Sequence, residues 1–106
     1  MALGQDVKRM WVDALRSGRF VQGKGTLFHS GRHCCLGVLA EVVGRLEGRC
    51  VVGEYRGQKI HCYDHLPMGF MREIGLSASS HGFLTVMNDS GEATFEEIAD
   101  FIEEAL

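Results

Sequence analysis

The stretch that most constrains how this chain can fold is Arg32-His33-Cys34-Cys35-Leu36-Gly37-Val38-Leu39-Ala40-Glu41-Val42-Val43, which follows a Ser30-Gly31 turn. Cys35, Leu36, Val38, Leu39, Val42, Val43 and Leu46 recur at helical spacing, so the segment from Cys35 to about Leu46 reads as the central helix of a small core. The first turn of that helix is also where a thiol is best placed to react, because unpaired amide N–H groups favour a thiolate there. Whether the paired thiols serve packing or chemistry is the main question the sequence poses. Gly37 and Gly44 cost helix stability relative to alanine, and each suggests the close approach of another backbone.

A chain of 106 residues has room for one hydrophobic core, so residues 1–106 are read as a single domain. The net charge of -3 gives no global basic field, which argues against a general nucleic-acid binder. The charge is uneven. Lys8, Arg9, Arg16, Arg19, Lys24, Arg32, Arg45 and Arg49 lie in the first half, whereas Glu92, Glu96, Glu97, Asp100, Glu103 and Glu104 crowd the end. There is no apolar run of about 18 residues to span a membrane, and the start lacks the features of a secretion signal, so a cytoplasmic protein is expected. The four cysteines, Cys34, Cys35, Cys50 and Cys62, are then read as reduced thiols that are mostly buried.

Val7, Met10, Trp11, Ala14 and Leu15 form one apolar stripe, predicting an amphipathic helix from Gln5 to Ser17 that ends at Gly18, with Trp11 in the core. Phe20 to Lys24 is punctuated by glycines and reads as a connector. Two hairpins are expected, Thr26–His29 against Arg32–Cys34 and Cys50–Tyr55 against Gln58–Tyr63. A short helix over Leu66–Ile74, a polar loop over Ser77–Gly82 and a short helical turn or strand over Phe83–Met87 follow. Asn88-Asp89-Ser90-Gly91 reads as a turn. Thr94 and Glu97 form a capping box ahead of a final helix with Phe95, Ile98, Ala99, Ile102 and Leu106 inward. The expected architecture is therefore α+β, helices packed on a short antiparallel sheet of two hairpins.

The sequence holds fragments of four chemistries. Cys34 at a helix start, His61 or His65 later, and Asn88 or Asp89 beyond give the order of a thiol nucleophile, a base and an orienting group. Cys34, His61 and Asn88 are the candidate catalytic set of a small cysteine-dependent hydrolase. The helix-start cysteine resembles that of bacterial cell-wall papain-like hydrolases over about five residues, without their Asp and Ser. Thiolate plus imidazole would suit zinc, but the His and Cys residues lack paired Cys-x-x-Cys knuckles, so neither metal nor other cofactor is expected. Gly23-Lys24-Gly25-Thr26 has phosphate-loop residue types at the wrong spacing, and the acids after Asn88 do not follow a calcium loop.

The segments Trp11–Gly18, Gln22–Gly25, Cys34–Leu39, Met87–Gly91 and Phe95–Glu103 together resemble a recurrent family of small, uncharacterised bacteriophage and prophage proteins. That resemblance covers nearly the whole chain. It implies a phage-encoded protein in the cytoplasm of a bacterial host and transfers no catalytic residue. By analogy with small phage accessory proteins, the leading expectation is a non-enzymatic binding protein that engages a host protein and inhibits a host defence such as a CRISPR complex. Its partner would present a basic surface to Glu96, Glu97, Asp100, Glu103 and Glu104. A homodimer, with a second copy covering the sheet, stays open.

Overall fold

The structure, a computed structural model, describes residues 3–25, 27–43, 53–55, 58–60, 66 and 68–106. Its elements run α1 (Gln5–Arg16), β1 (Val21–Gln22), β2 (Phe28–His29), β3 (Arg32–His33), α2 (Cys35–Val43), β4 (Gly53–Tyr55), β5 (Gln58–Ile60), α3 (Met68–Ile74), α4 (Ala78–Asp89) and α5 (Phe95–Ala105). Of the apolar stripe of α1, Trp11, Ala14 and Leu15 are buried as its spacing predicts, joined by Val12, whereas Met10 is 45% exposed; the buried residues pack between α2 and α5. Trp11 is fully buried, and its indole N–H donates to the Cys35 carbonyl at 2.9 Å. The ring thus gains its apolar contacts without stranding its polar atom.

The expected α+β architecture is not what forms. Helices pack on helices, and among the described residues no antiparallel sheet of two hairpins underlies them. The described strands are two or three residues long and fall into two separate sheets. In the first, with strand order β1-β3-β2, β1 runs parallel to β3, pairing Val21 with Arg32 and Gln22 with His33. This strand lies within the supposed connector Phe20–Lys24. The antiparallel pairs β2·β3 and β4·β5 are local ribbons, too small to shield a helix face. The long helical stripes cover one another instead, with Leu36, Val38 and Leu39 of α2 and Ile98, Ala99 and Ile102 of α5 at or near zero exposure.

Ser77–Gly82, expected as a loop, are the cap and opening turns of α4. The Ser77 hydroxyl accepts the Ser80 N–H at 3.1 Å. His81, Leu84 and Asn88 then form its inward stripe at i, i+3 and i+7. Asn88 and Asp89 accordingly end a helix, and the turn begins at Ser90. In α5 the capping box is complete: Glu97 N–H donates to Thr94 Oγ1 at 3.2 Å, and Thr94 N–H to Glu97 Oε1 at 2.9 Å. At the β2·β3 turn, Ser30 and Gly31 both have positive φ, 53° and 80°, matching the twist of a tight hairpin.

Gly37 is the close approach its sequence position suggested. A Cβ added there would overlap the Leu27 carbonyl, whose oxygen also accepts the Cys34 N–H at 3.2 Å. The expected extension of α2 to Leu46, Gly44 and the outer parts of the second hairpin lie outside the described residues. Because backbone and not a flexible side chain blocks the space, Gly37→Ala should cost about 3 kcal/mol of stability. Urea denaturation checks this; a variant as stable as the wild type would mean that α2 and Leu27 are not in backbone contact.

Candidate functional site

The thiols, the Gly23–Gly25 loop and Asn88 converge at the start of α2. Cys34 is the residue before the helix. Its carbonyl accepts the Val38 N–H at 3.0 Å, and its sulfur accepts the Gly37 N–H at 3.4 Å. It occupies the place a serine or threonine usually takes at a helix start. Only 6% of Cys34 is exposed and Cys35 is fully buried; both are free thiols. Burial pushes the Cys34 thiol up from its ordinary value, outweighing the Gly37 and Leu36 N–H groups that pull it down. For Cys35, burial again acts first, with the neighbouring Cys34 next, and holds the thiol well above its ordinary value. The expectation that a helix start favours a thiolate is thus reversed by desolvation.

Asn88 is fully buried and all its hydrogen-bonding capacity is taken. Its Oδ1 accepts the Cys35 N–H and the Gln22 side-chain N–H, each at 3.1 Å. Its Nδ2 donates to the Gly23 carbonyl at 2.7 Å and to Asp89 Oδ1 at 3.1 Å. A backbone N–H on one side and a carbonyl on the other leave no choice of amide orientation. Gln22 Nε2 also donates to the Ala93 carbonyl at 2.9 Å, and Asp89 Oδ1 accepts the Gly25 N–H at 3.0 Å. In the loop that carried phosphate-loop residue types, the Gly23 carbonyl is therefore engaged by Asn88 and the Gly25 N–H by Asp89. Lys24 lies against the turn beyond α4, its Nζ 2.6 Å from where a Cβ on Gly91 would sit.

Of the candidate catalytic set, Cys34 and Asn88 belong to this junction, and Asn88 acts there as a structural amide with no valence left to orient a histidine. His61 and His65 lie outside the described residues. His33, beside Cys34, meets Phe20 edge-on at a centroid separation of 5.0 Å. Burial lowers its pKa, with Glu41 pulling the other way. His81, which sequence placed in a loop, is 92% buried by its 8% exposure, and its Nε2 accepts the Leu66 N–H at 2.9 Å. Among the described residues no group of three His, Cys, Asp or Glu side chains could hold a metal ion.

The acidic candidates lie on α5 and are partly committed within the chain. Arg16 of α1 reaches Asp100 at 2.6 Å, Glu103 at 3.0 Å and Glu96 at 3.2 Å. The hydrogen bonds it donates, to Glu103 first and to Asp100 second, raise the pKa of its guanidinium. Glu97 closes the capping box, while Glu104 is exposed. Gln22 was missed as a participant, and nothing in its local sequence marks it. His81 could have been found from its i, i+3, i+7 relation to Leu84 and Asn88.

The molecule is thus a helical domain whose most elaborate polar site is a structural junction. The chain belongs to the family described as a domain of unknown function (DUF8296), whose model matches residues 3–66, from just before α1 through β5. No curated protein and no solved structure matches the chain. No helix among the described residues is long and apolar enough to cross a membrane.

The burial of both sulfurs sets an expectation for reactivity. Iodoacetamide at neutral pH should leave Cys34 and Cys35 unmodified in the folded protein and label both after unfolding, as read by peptide mass spectrometry. Rapid labelling of Cys34 in the folded state would favour the hydrolase reading over a purely structural role for the thiol.

Proposed function

We propose that this is a small phage-encoded binding protein, acting without catalysis in the bacterial cytoplasm, that engages a basic surface of a host protein and so inhibits a host process, host defence being the leading candidate. The observation that carries this reading is the acidic ridge of α5. Glu96, Asp100 and Glu103 keep side-chain exposures of 63, 60 and 59% while their carboxylates are bonded to Arg16. One cation among three acids leaves the ridge negative. Holding those side chains in place lowers the entropy lost when a partner docks, and the charge favours a basic partner. Glu104 extends the ridge by one helical turn from Asp100; Glu97 contributes less, because its carboxylate is occupied at the helix start.

The engagement of Cys34 and Asn88 in the α2 junction supports a role through surface contact rather than bond chemistry. The test is affinity capture from host lysate with wild-type bait and with the triple variant Glu96→Gln, Asp100→Asn, Glu103→Gln, which keeps hydrogen-bond acceptors for Arg16. A specific partner should be retained by the wild type at about 0.1 M salt, where charges within about 10 Å still interact, and lost with the variant at unchanged helicity. Equal capture by both baits, or no specific capture by either, would contradict the reading.

A further inference from the structure

We infer that the hollow between α1 and the end of α5 is a binding site for a small zwitterion, an ω-amino acid whose carboxylate and ammonium groups are joined by a short methylene chain. The hollow measures about 260 Å³ and is lined by Gln5, Lys8, Arg9, Val12 and Asp13 of α1 and by Glu103 of α5. The α1 positions, at i, i+3, i+4, i+7 and i+8, share one helix face, and the packing of α1 on α5 brings Glu103 to it. The volume lies just below the range of about 300–1,000 Å³ that holds drug-sized ligands, which suits a smaller molecule.

Charge selects the occupant. Lys8 and Arg9 stand at one end of the hollow and Asp13 at the other. Glu103 belongs to the acidic end, because it is held at 3.0 Å by Arg16, one turn beyond Asp13. The side chains of Lys8, Arg9 and Asp13 make no hydrogen bond or ion pair among the described residues. Arg9 and Asp13 have the i, i+4 spacing of a helix pair, but with the cation nearer the helix start, which is the weaker order. Their charges therefore remain available to a ligand. They are separated by about 6 Å along the helix axis, the span of about five methylenes, and Val12, 4% exposed, offers an apolar floor between them. Two cations and two carboxylates leave the hollow neutral, so a zwitterion satisfies both ends, whereas a ligand of one sign leaves one end unpaired. The site shares Glu103 with the acidic ridge but rests on Arg9 and Asp13, which lie off it, and does not depend on the ridge having a partner.

The test is a titration of the full chain, followed by two-dimensional amide NMR at neutral pH and low salt, with ε-aminocaproate as the probe and caproate and hexylamine as single-charge controls. The expected result is saturable shifts of the α1 amides around Arg9 and Asp13 with a Kd of about 1–10 mM, within reach of a ligand of so few atoms. Each control should bind the wild type at least tenfold more weakly. The variants Arg9→Gln and Asp13→Asn should each weaken ε-aminocaproate at least tenfold at wild-type helicity, since both side chains are exposed. Nα-Acetyl-lysine carries the same two groups on the last residue of a chain. If it binds as ε-aminocaproate does, the ligand is a carboxy-terminal lysine; if it does not, the ligand is a free ω-amino acid. No saturation by ε-aminocaproate up to about 50 mM would overturn the inference. So would equal binding of the single-charge controls, a result on the wild type that does not depend on any variant folding, or binding that both variants leave unchanged.

Discussion

The side-chain amide of Asn88 joins parts of the chain that are far apart in sequence and would otherwise each have a polar group facing the core. It holds the first amide of α2, the Gln22 side chain of β1 and the carbonyl of Gly23. A buried amide contributes little net stability when satisfied, but leaving any of its partners unpaired costs about 1–3 kcal/mol each. The junction is consequently strong in one arrangement and expensive in all others. It fixes how the Gly23–Gly25 loop, the entry to α2 and the end of α4 meet.

That constraint decides the role of the paired cysteines. Once the Cys35 N–H is held by Asn88 and the Cys34 sulfur receives the Gly37 N–H, the start of α2 is closed over by the chain itself. The amides that could have stabilised a thiolate serve to satisfy the helix start, and desolvation dominates. Trp11 seals the same region from α1 by donating to the Cys35 carbonyl. Chemistry and packing compete for the same few atoms here, and packing takes them. The remaining candidates for function are surfaces: the acidic ridge, ordered by Arg16, and the two-signed hollow between α1 and α5.

What could be read from sequence follows from which forces are local. The core position of Trp11, the Ser30-Gly31 turn and the Thr94–Glu97 capping box rest on interactions within a few residues, and each formed where expected; the stripe of α1 formed slightly rotated, with Val12 buried and Met10 at the surface. Gly37 was legible because glycine inside an apolar helix has few other uses. The two hairpin pairings were legible and form as β2·β3 and β4·β5; that they stay separate was not, because short β-prone runs say nothing about whether helices will find one another first, and the parallel β1·β3 pair is set by contacts distant in sequence. The opening turns of α4 were hidden because Ser, His and Gly are weak helix formers, and the helix is held by burial of His81, Leu84 and Asn88. Asn88 itself resembled a turn residue, since a buried asparagine and a turn asparagine look alike until its partners are known. Gln22, 66 residues away from Asn88, could not be paired with it by inspection. The acidic candidates were visible as a face of α5, but Arg16's place among them depends on how α1 and α5 pack.

The claim that one buried amide organises this fold is tested most directly by Asn88→Asp. The substitution keeps size and shape but replaces a donor with an oxygen facing the Gly23 carbonyl and the Asp89 carboxylate. Chemical denaturation at neutral pH should show a loss of about 3 kcal/mol or more, from unpaired acceptors and a buried charge. A variant within about 0.5 kcal/mol of the wild type, the range of ordinary surface changes, would contradict the account.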